Sequence, residues 1–168
     1  MRGKTYDCKP TLTDEGVVDF CKQGFLILEN VVPDEVNRRT TAFLEEHPSL
    51  APHEILNEEW FVEAVIKNPA ATGAVRSLLG ANILLPTWMS NHRIECPRQV
   101  NCGWHRDGGA VFTPRLDFLQ VFYYPQDTPK ALGPTEVLPS SHFIRGRRRF
   151  MQHYGNIRHG AWTTAPAG

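Results

Sequence analysis

The chain has no net charge, because eighteen basic and eighteen acidic side chains cancel over its 168 residues. A whole-chain field that would gather nucleic acid or an acidic lipid surface is excluded, and any charge effect has to be local. No apolar run approaches the roughly 20 residues that a membrane span needs, so a soluble protein with no membrane partner is expected. Cysteine is sparse. Cys8, Cys21, Cys96 and Cys102 show no Cys-x-x-Cys spacing, and Met1 to Pro10 contains no apolar run of the kind that directs export. The expected setting is cytoplasmic, with four reduced, structural thiols. Internal repeats and low-complexity tracts are missing as well.

The composition itself is that of an ordinary globular protein, 41% hydrophobic and 21% charged. A chain of this length buries roughly 70% of its unfolded surface, enough for one domain with a core. Thr13, as a cap before Asp14 and Glu15, predicts a helix over 13–23 that Gly24 stops. Pro33-Asp34-Glu35 opens a second helix toward His47, where Pro48 ends it. Asn57 is expected to cap a segment carrying Trp60, Phe61, Ala64 and Val65, and Pro69 to open another that ends before Gly80. Phe25 to Leu28 reads as a short buried strand.

From Ala81 onward the texture changes to short apolar or alternating runs between Pro, Gly and Asn. The clearest are Ile83 to Leu85, Asn91 to Glu95 and Phe118 to Tyr124. Helices first and strands afterwards predict an α+β fold, a helix-decorated jelly roll, in one domain: 1–80 mainly helical and 81–168 the jelly-roll core.

Chemistry concentrates in Trp104-His105-Arg106-Asp107-Gly108-Gly109. On a strand, residues i and i+2 share a face, so His105 and Asp107 would point together while Arg106 points away. An imidazole and a carboxylate suit iron(II), whose 2-His-1-carboxylate triad leaves three coordination positions open. Seven histidines and eighteen acids supply close to one such spacing by chance, so a hydrogen-bonded surface pair in a glycine-rich turn is the competing reading. The residues downstream of the pair separate these two readings. Phe118 to Tyr124 is succeeded by Leu132-Gly133-Pro134, then Thr135-Glu136-Val137-Leu138, then Pro139-Ser140-Ser141-His142.

This ordered set resembles the phytanoyl-CoA dioxygenase family of iron(II)- and 2-oxoglutarate-dependent oxygenases. Gly24-Phe25 to Leu28 and Val31 to Glu35 are similar to that family's N-terminal region. The resemblance implies a double-stranded β-helix, a cupin-like jelly roll, with His105 and Asp107 as iron ligands. It implies iron(II), 2-oxoglutarate and dioxygen as cofactor and co-substrates, with succinate and carbon dioxide released as an unactivated C–H of a small molecule is hydroxylated. Asn91 resembles a position that hydrogen-bonds the co-substrate, and Tyr123 one that lines its pocket. Asp107 matches a carboxylate that related halogenases replace by Ala or Gly, which points to hydroxylation.

The family's distal metal histidine and its 2-oxoglutarate-binding arginine have no counterpart in this sequence. Trp162 to Gly168 looks like the segment that leads into the distal strand. The last strands are therefore expected to be missing and residues 1–168 to be inactive alone. A non-catalytic jelly-roll binding module is the alternative, and a zinc hydrolase on the same pair a third reading. His92, His142, His153 and His159 read as sheet, turn or loop residues rather than ligands, and the four tryptophans as core or pocket wall. Arg145, Arg147, Arg148 and Arg149 form either a solvated face or a site for a phosphate, CoA ester or carboxylate. Nucleic acid is not expected, since aromatic residues are not interleaved with the basic ones.

Overall fold

The computed structural model describes residues 4–48, 51–91, 115–129 and 134–143, and the backbone of 163–164. Thr13 stands in extended backbone and its Oγ1 accepts the Gly16 N–H at 3.2 Å, so α1 (Asp14–Gln23) begins where its cap predicts. Gly24, at φ 85°, ends it in the left-handed region. α2 (Asp34–Glu46) follows Pro33 and stops at His47, whose backbone N–H and Nδ1 both reach the Phe43 carbonyl, at 3.0 and 2.8 Å.

The Asn57 cap is displaced by one residue. Asn57 closes a 3-10 turn, His53–Asn57, and Glu58 in extended backbone precedes the short α3 (Glu59–Phe61). The Glu58 carboxylate is engaged by Trp60 Nε1–H at 3.0 Å and makes no cap hydrogen bond. α3 widens directly into a π-turn, Val62–Ile66, where the Lys67 N–H reaches back five residues to the Val62 carbonyl at 2.7 Å.

Pro69 forces the next break, because the residue before a proline is pushed out of helical backbone. That residue is Asn68, at φ −51° and ψ 125°, and it caps both helices that meet there. Its Oδ1 accepts the Ala70 and Ala71 N–H groups at 3.0 and 3.2 Å, opening α4 (Pro69–Leu79). Its Nδ2 donates to the Ala64 carbonyl of the π-turn at 3.3 Å and to the Val31 carbonyl at 2.8 Å. A buried primary amide is thereby satisfied at both ends.

α4 also anchors the N-terminal arm. Ser77 Oγ accepts the Thr11 and Leu12 N–H groups, each at 3.0 Å, and donates to the Gly73 carbonyl. Gly73 is buried where a Cβ would overlap the Thr11 side chain and press on the Lys9 carbonyl, so only glycine lets the arm lie this close. Arg76 Nε meets Asp7 Oδ1 at 2.7 Å, and this hydrogen bond holds the Asp7 carboxyl below its ordinary range. The arm ends in β1 (Thr5–Tyr6), antiparallel to β2 (Ile83–Leu84), with Thr5 opposite Leu84.

Val32, Ile55, Phe61 and Val65 form the buried core, and Val36, Phe43, Trp60, Met89 and Tyr123 pack against it. A second antiparallel ladder joins β3 (Glu136–Val137) to β4 (Thr163–Thr164), with Glu136 opposite Thr164. Phe25 to Leu28 and Phe118 to Tyr124, both read as strands, form no ladder among the described residues. No helix among the described residues is long and apolar enough to cross a membrane.

Asn68→Ala should cost about 2–4 kcal/mol in urea denaturation, since it removes a cap and leaves two carbonyls without their donor. Asn68→Asp keeps the cap oxygens and loses only the donors, so about half of that loss is expected from it.

Candidate functional site

His105 and Asp107, the expected metal ligands, lie outside the described residues, as do His92, His153, His159, Cys96, Cys102, Trp104, Trp162 and Arg145 to Arg149. The segment 92–114 that carries the pair is bracketed by two described anchors. Before it, the Met89 N–H donates to His53 Nδ1 at 3.1 Å, and Asn91, half-buried, follows two residues later. After it, the Tyr123 hydroxyl donates to Asn37 Oδ1 at 2.6 Å and lies 3.5 Å from Thr40 Oγ1. Met89 and Tyr123 pack on one and the same core, so described residues on either side of the segment are docked to the helical half of the chain.

α2 positions the second anchor. Asn37 and Thr40, one turn apart on it, are buried, with Thr40 fully so. The Thr40 hydroxyl donates back to the Val36 carbonyl at 2.9 Å, and Asn37 Nδ2 donates to the Val32 carbonyl at 3.4 Å. The Tyr123 hydroxyl proton is therefore committed to α2, and what Tyr123 offers a ligand is its ring or an oxygen lone pair. Burial pushes the phenol up from its ordinary value, against a smaller downward effect of the Thr40 hydroxyl. Next to this anchor, Asn30, Asp34, Arg38 and Gln126 line a polar cleft of about 210 Å³.

The Pro139 to His142 segment is docked elsewhere, on the end of α1. A helix leaves its last four carbonyls without internal partners. Here the Phe20 carbonyl accepts the Gly24 N–H at 2.7 Å, Cys21 accepts His142 Nε2–H at 2.8 Å, Lys22 accepts the Ser140 hydroxyl at 2.8 Å, and Gln23 accepts the Ser140 N–H at 2.7 Å. Ser140 takes φ 61°, unusual for serine, and these two hydrogen bonds hold it there. His142 thus helps to cap the end of α1.

The signal for Asn37 and Thr40 was absent from the sequence, since both read as ordinary polar positions of a helix. His53 was equally silent. Among the described residues no group of three or more His, Cys, Asp or Glu side chains gathers to hold a metal ion. Comparison with models of protein families, with curated proteins and with solved structures finds no match.

Tyr123→Phe removes one hydrogen bond from buried Asn37 and should cost about 1 kcal/mol near neutrality. The folded phenol holds its proton above the ordinary tyrosine value of about 10, so stability falls as pH rises from there toward the folded value. The variant should show a flatter alkaline limb in a stability profile against pH; equal slopes would contradict the buried phenol. Gly24→Ala should destabilise by more than about 1 kcal/mol, through its left-handed φ and overlap with the His142 ring. Thermal denaturation in a His142→Ala background should show the part due to overlap disappear.

Proposed function

We propose that the chain is the iron-binding part of a mononuclear iron(II)- and 2-oxoglutarate-dependent oxygenase that hydroxylates an unactivated C–H of a small molecule. The observation that carries this reading is the ordered set Trp104-His105-x-Asp107-Gly108, Gly133-Pro134, Val137-Leu138 and Pro139-Ser140-Ser141-His142, which resembles the phytanoyl-CoA dioxygenase family. A jelly-roll core in 81–168 and a cytoplasmic setting belong to the same proposal.

The donor set fits the metal, a neutral imidazole and a carboxylate being suited to iron(II). His105 and Asp107 would supply two ligands of a facial triad. The bound metal would activate dioxygen with 2-oxoglutarate as the reducing co-substrate. The chain's own part is to hold and orient the reactants and to keep water out. Two features support that role: Met89 and Tyr123, described residues on either side of the segment, are hydrogen-bonded to the helical half, and a short strand at Glu136–Val137 is followed by a turn at Ser140.

Anaerobic iron(II) plus 2-oxoglutarate should give the full-length protein the weak visible charge-transfer absorption of a chelated complex, and aerobic turnover should release succinate. His105→Ala and Asp107→Ala should each abolish the band. A full-length protein with neither band nor succinate is not this enzyme, and iron-free ligand binding would then favour the binding module.

A further inference from the structure

A groove of about 300 Å³ runs between α2 and the stretch from Glu58 to Trp60. Arg39, Phe43, Glu46 and His47 recur at helical spacing and line its α2 side, while Glu58 and Trp60 line the other. Both aromatic walls are set by hydrogen bonds. His47 Nδ1–H donates to the Phe43 carbonyl at 2.8 Å, which stacks the imidazole on the Phe43 ring with centres 4.0 Å apart and planes 11° apart. Opposite, Trp60 gives its Nε1–H to Glu58 Oε2 at 3.0 Å, and both Trp60 and Phe43 pack on the core.

The groove already holds a cation of its own. The Arg39 guanidinium carbon lies 4.2 Å from the centre of the Trp60 ring, the position of a cation–π contact. Against this one cation stand the carboxylates of Glu46 and Glu58, so the lining is left with a formal charge of minus one. Glu46 forms no ion pair among the described residues. Arg39 is exposed, so its head group can move out into water, whereas the half-buried Phe43 and Trp60 stay in place.

We propose that this groove binds a small organic cation of the guanidinium class, which takes the place of the Arg39 head group over Trp60 and is held by the Glu46 and Glu58 carboxylates. A guanidinium is planar, so its face covers the indole while its N–H edge remains free for carboxylate oxygens. Arg39 shows that the ring accepts that shape. An anion would meet two carboxylates, and a neutral ligand would displace their water without offering them a charge. Arg39 is then a built-in competitor, tethered beside the site at high effective concentration. This inference concerns the helical half and does not require the iron reading.

The test titrates the full chain, labelled with nitrogen-15, with ethylguanidinium chloride at constant ionic strength and follows the Trp60 indole N–H resonance. Ethylurea, of nearly the same shape and uncharged, is the control. A saturable shift is expected with ethylguanidinium and none with ethylurea. Arg39→Gln removes the competitor, so the same cation should bind about two- to thirty-fold more tightly, the range spanned by a cation–π contact. Glu46→Gln should weaken binding about two- to five-fold, as loss of an exposed charge pair does. Both substitutions are at exposed positions, and the dispersion of the amide spectrum checks that each variant is folded. An Arg39 that merely supports the Trp60 ring predicts the opposite sign, so unchanged or weaker binding by Arg39→Gln would overturn the proposal. So would equal shifts with ethylurea, or no saturable shift in the unaltered protein.

Discussion

The helical half hangs on one buried amide. Pro69 makes helix continuation through residue 68 unfavourable, and a broken helix normally leaves carbonyls on one side and N–H groups on the other without partners. Asn68 resolves both with a single side chain, its oxygen on α4 and its nitrogen on the π-turn, and its nitrogen also fixes the loop at Val31. Val32, the next residue, enters the core beside Ile55, Phe61 and Val65. The position of α2 relative to α4 therefore depends on a primary amide at this reach from the backbone, since every other side chain but glutamine, which is one methylene longer, loses either a donor or the acceptor.

The end of α1 shows the same economy applied across a long sequence separation. Its last four carbonyls are satisfied by Gly24 and by Ser140 and His142, the latter two about 120 residues away. Gly24 is constrained twice, by its left-handed backbone and by the imidazole packed against it. A side chain at position 24 would deny His142 its place, so the helix end and the docking of residues 139–142 are one structural event rather than two.

How much of this could be read from the sequence depended on whether the signal was local. Thr13, Gly24, Pro33 and Pro69 marked helix boundaries because caps and prolines act within one turn. Asn57 misled, since a 3-10 turn consumed it and Glu58 took the boundary. Strand runs were less informative. An apolar run such as Phe25 to Leu28 becomes a strand only where a partner supplies its hydrogen bonds, and composition does not specify the partner. The pairing of β1 with β2 joins residues about 80 apart, which no periodicity announces. The His-x-Asp pair was visible only through the order of motifs around it, while Asn37, Thr40 and His53 carry no motif because their work is to hold other residues.

The described residues on either side of the segment carrying that pair are hydrogen-bonded to the helical half, Met89 to His53 and Tyr123 to Asn37. Tyr123 donates to Asn37, and burial keeps its proton in place well into alkaline solution. His53 accepts the Met89 backbone N–H at 3.1 Å. On both sides the donor stands next to the segment and the acceptor on the helical half, so neither contact needs a charged group.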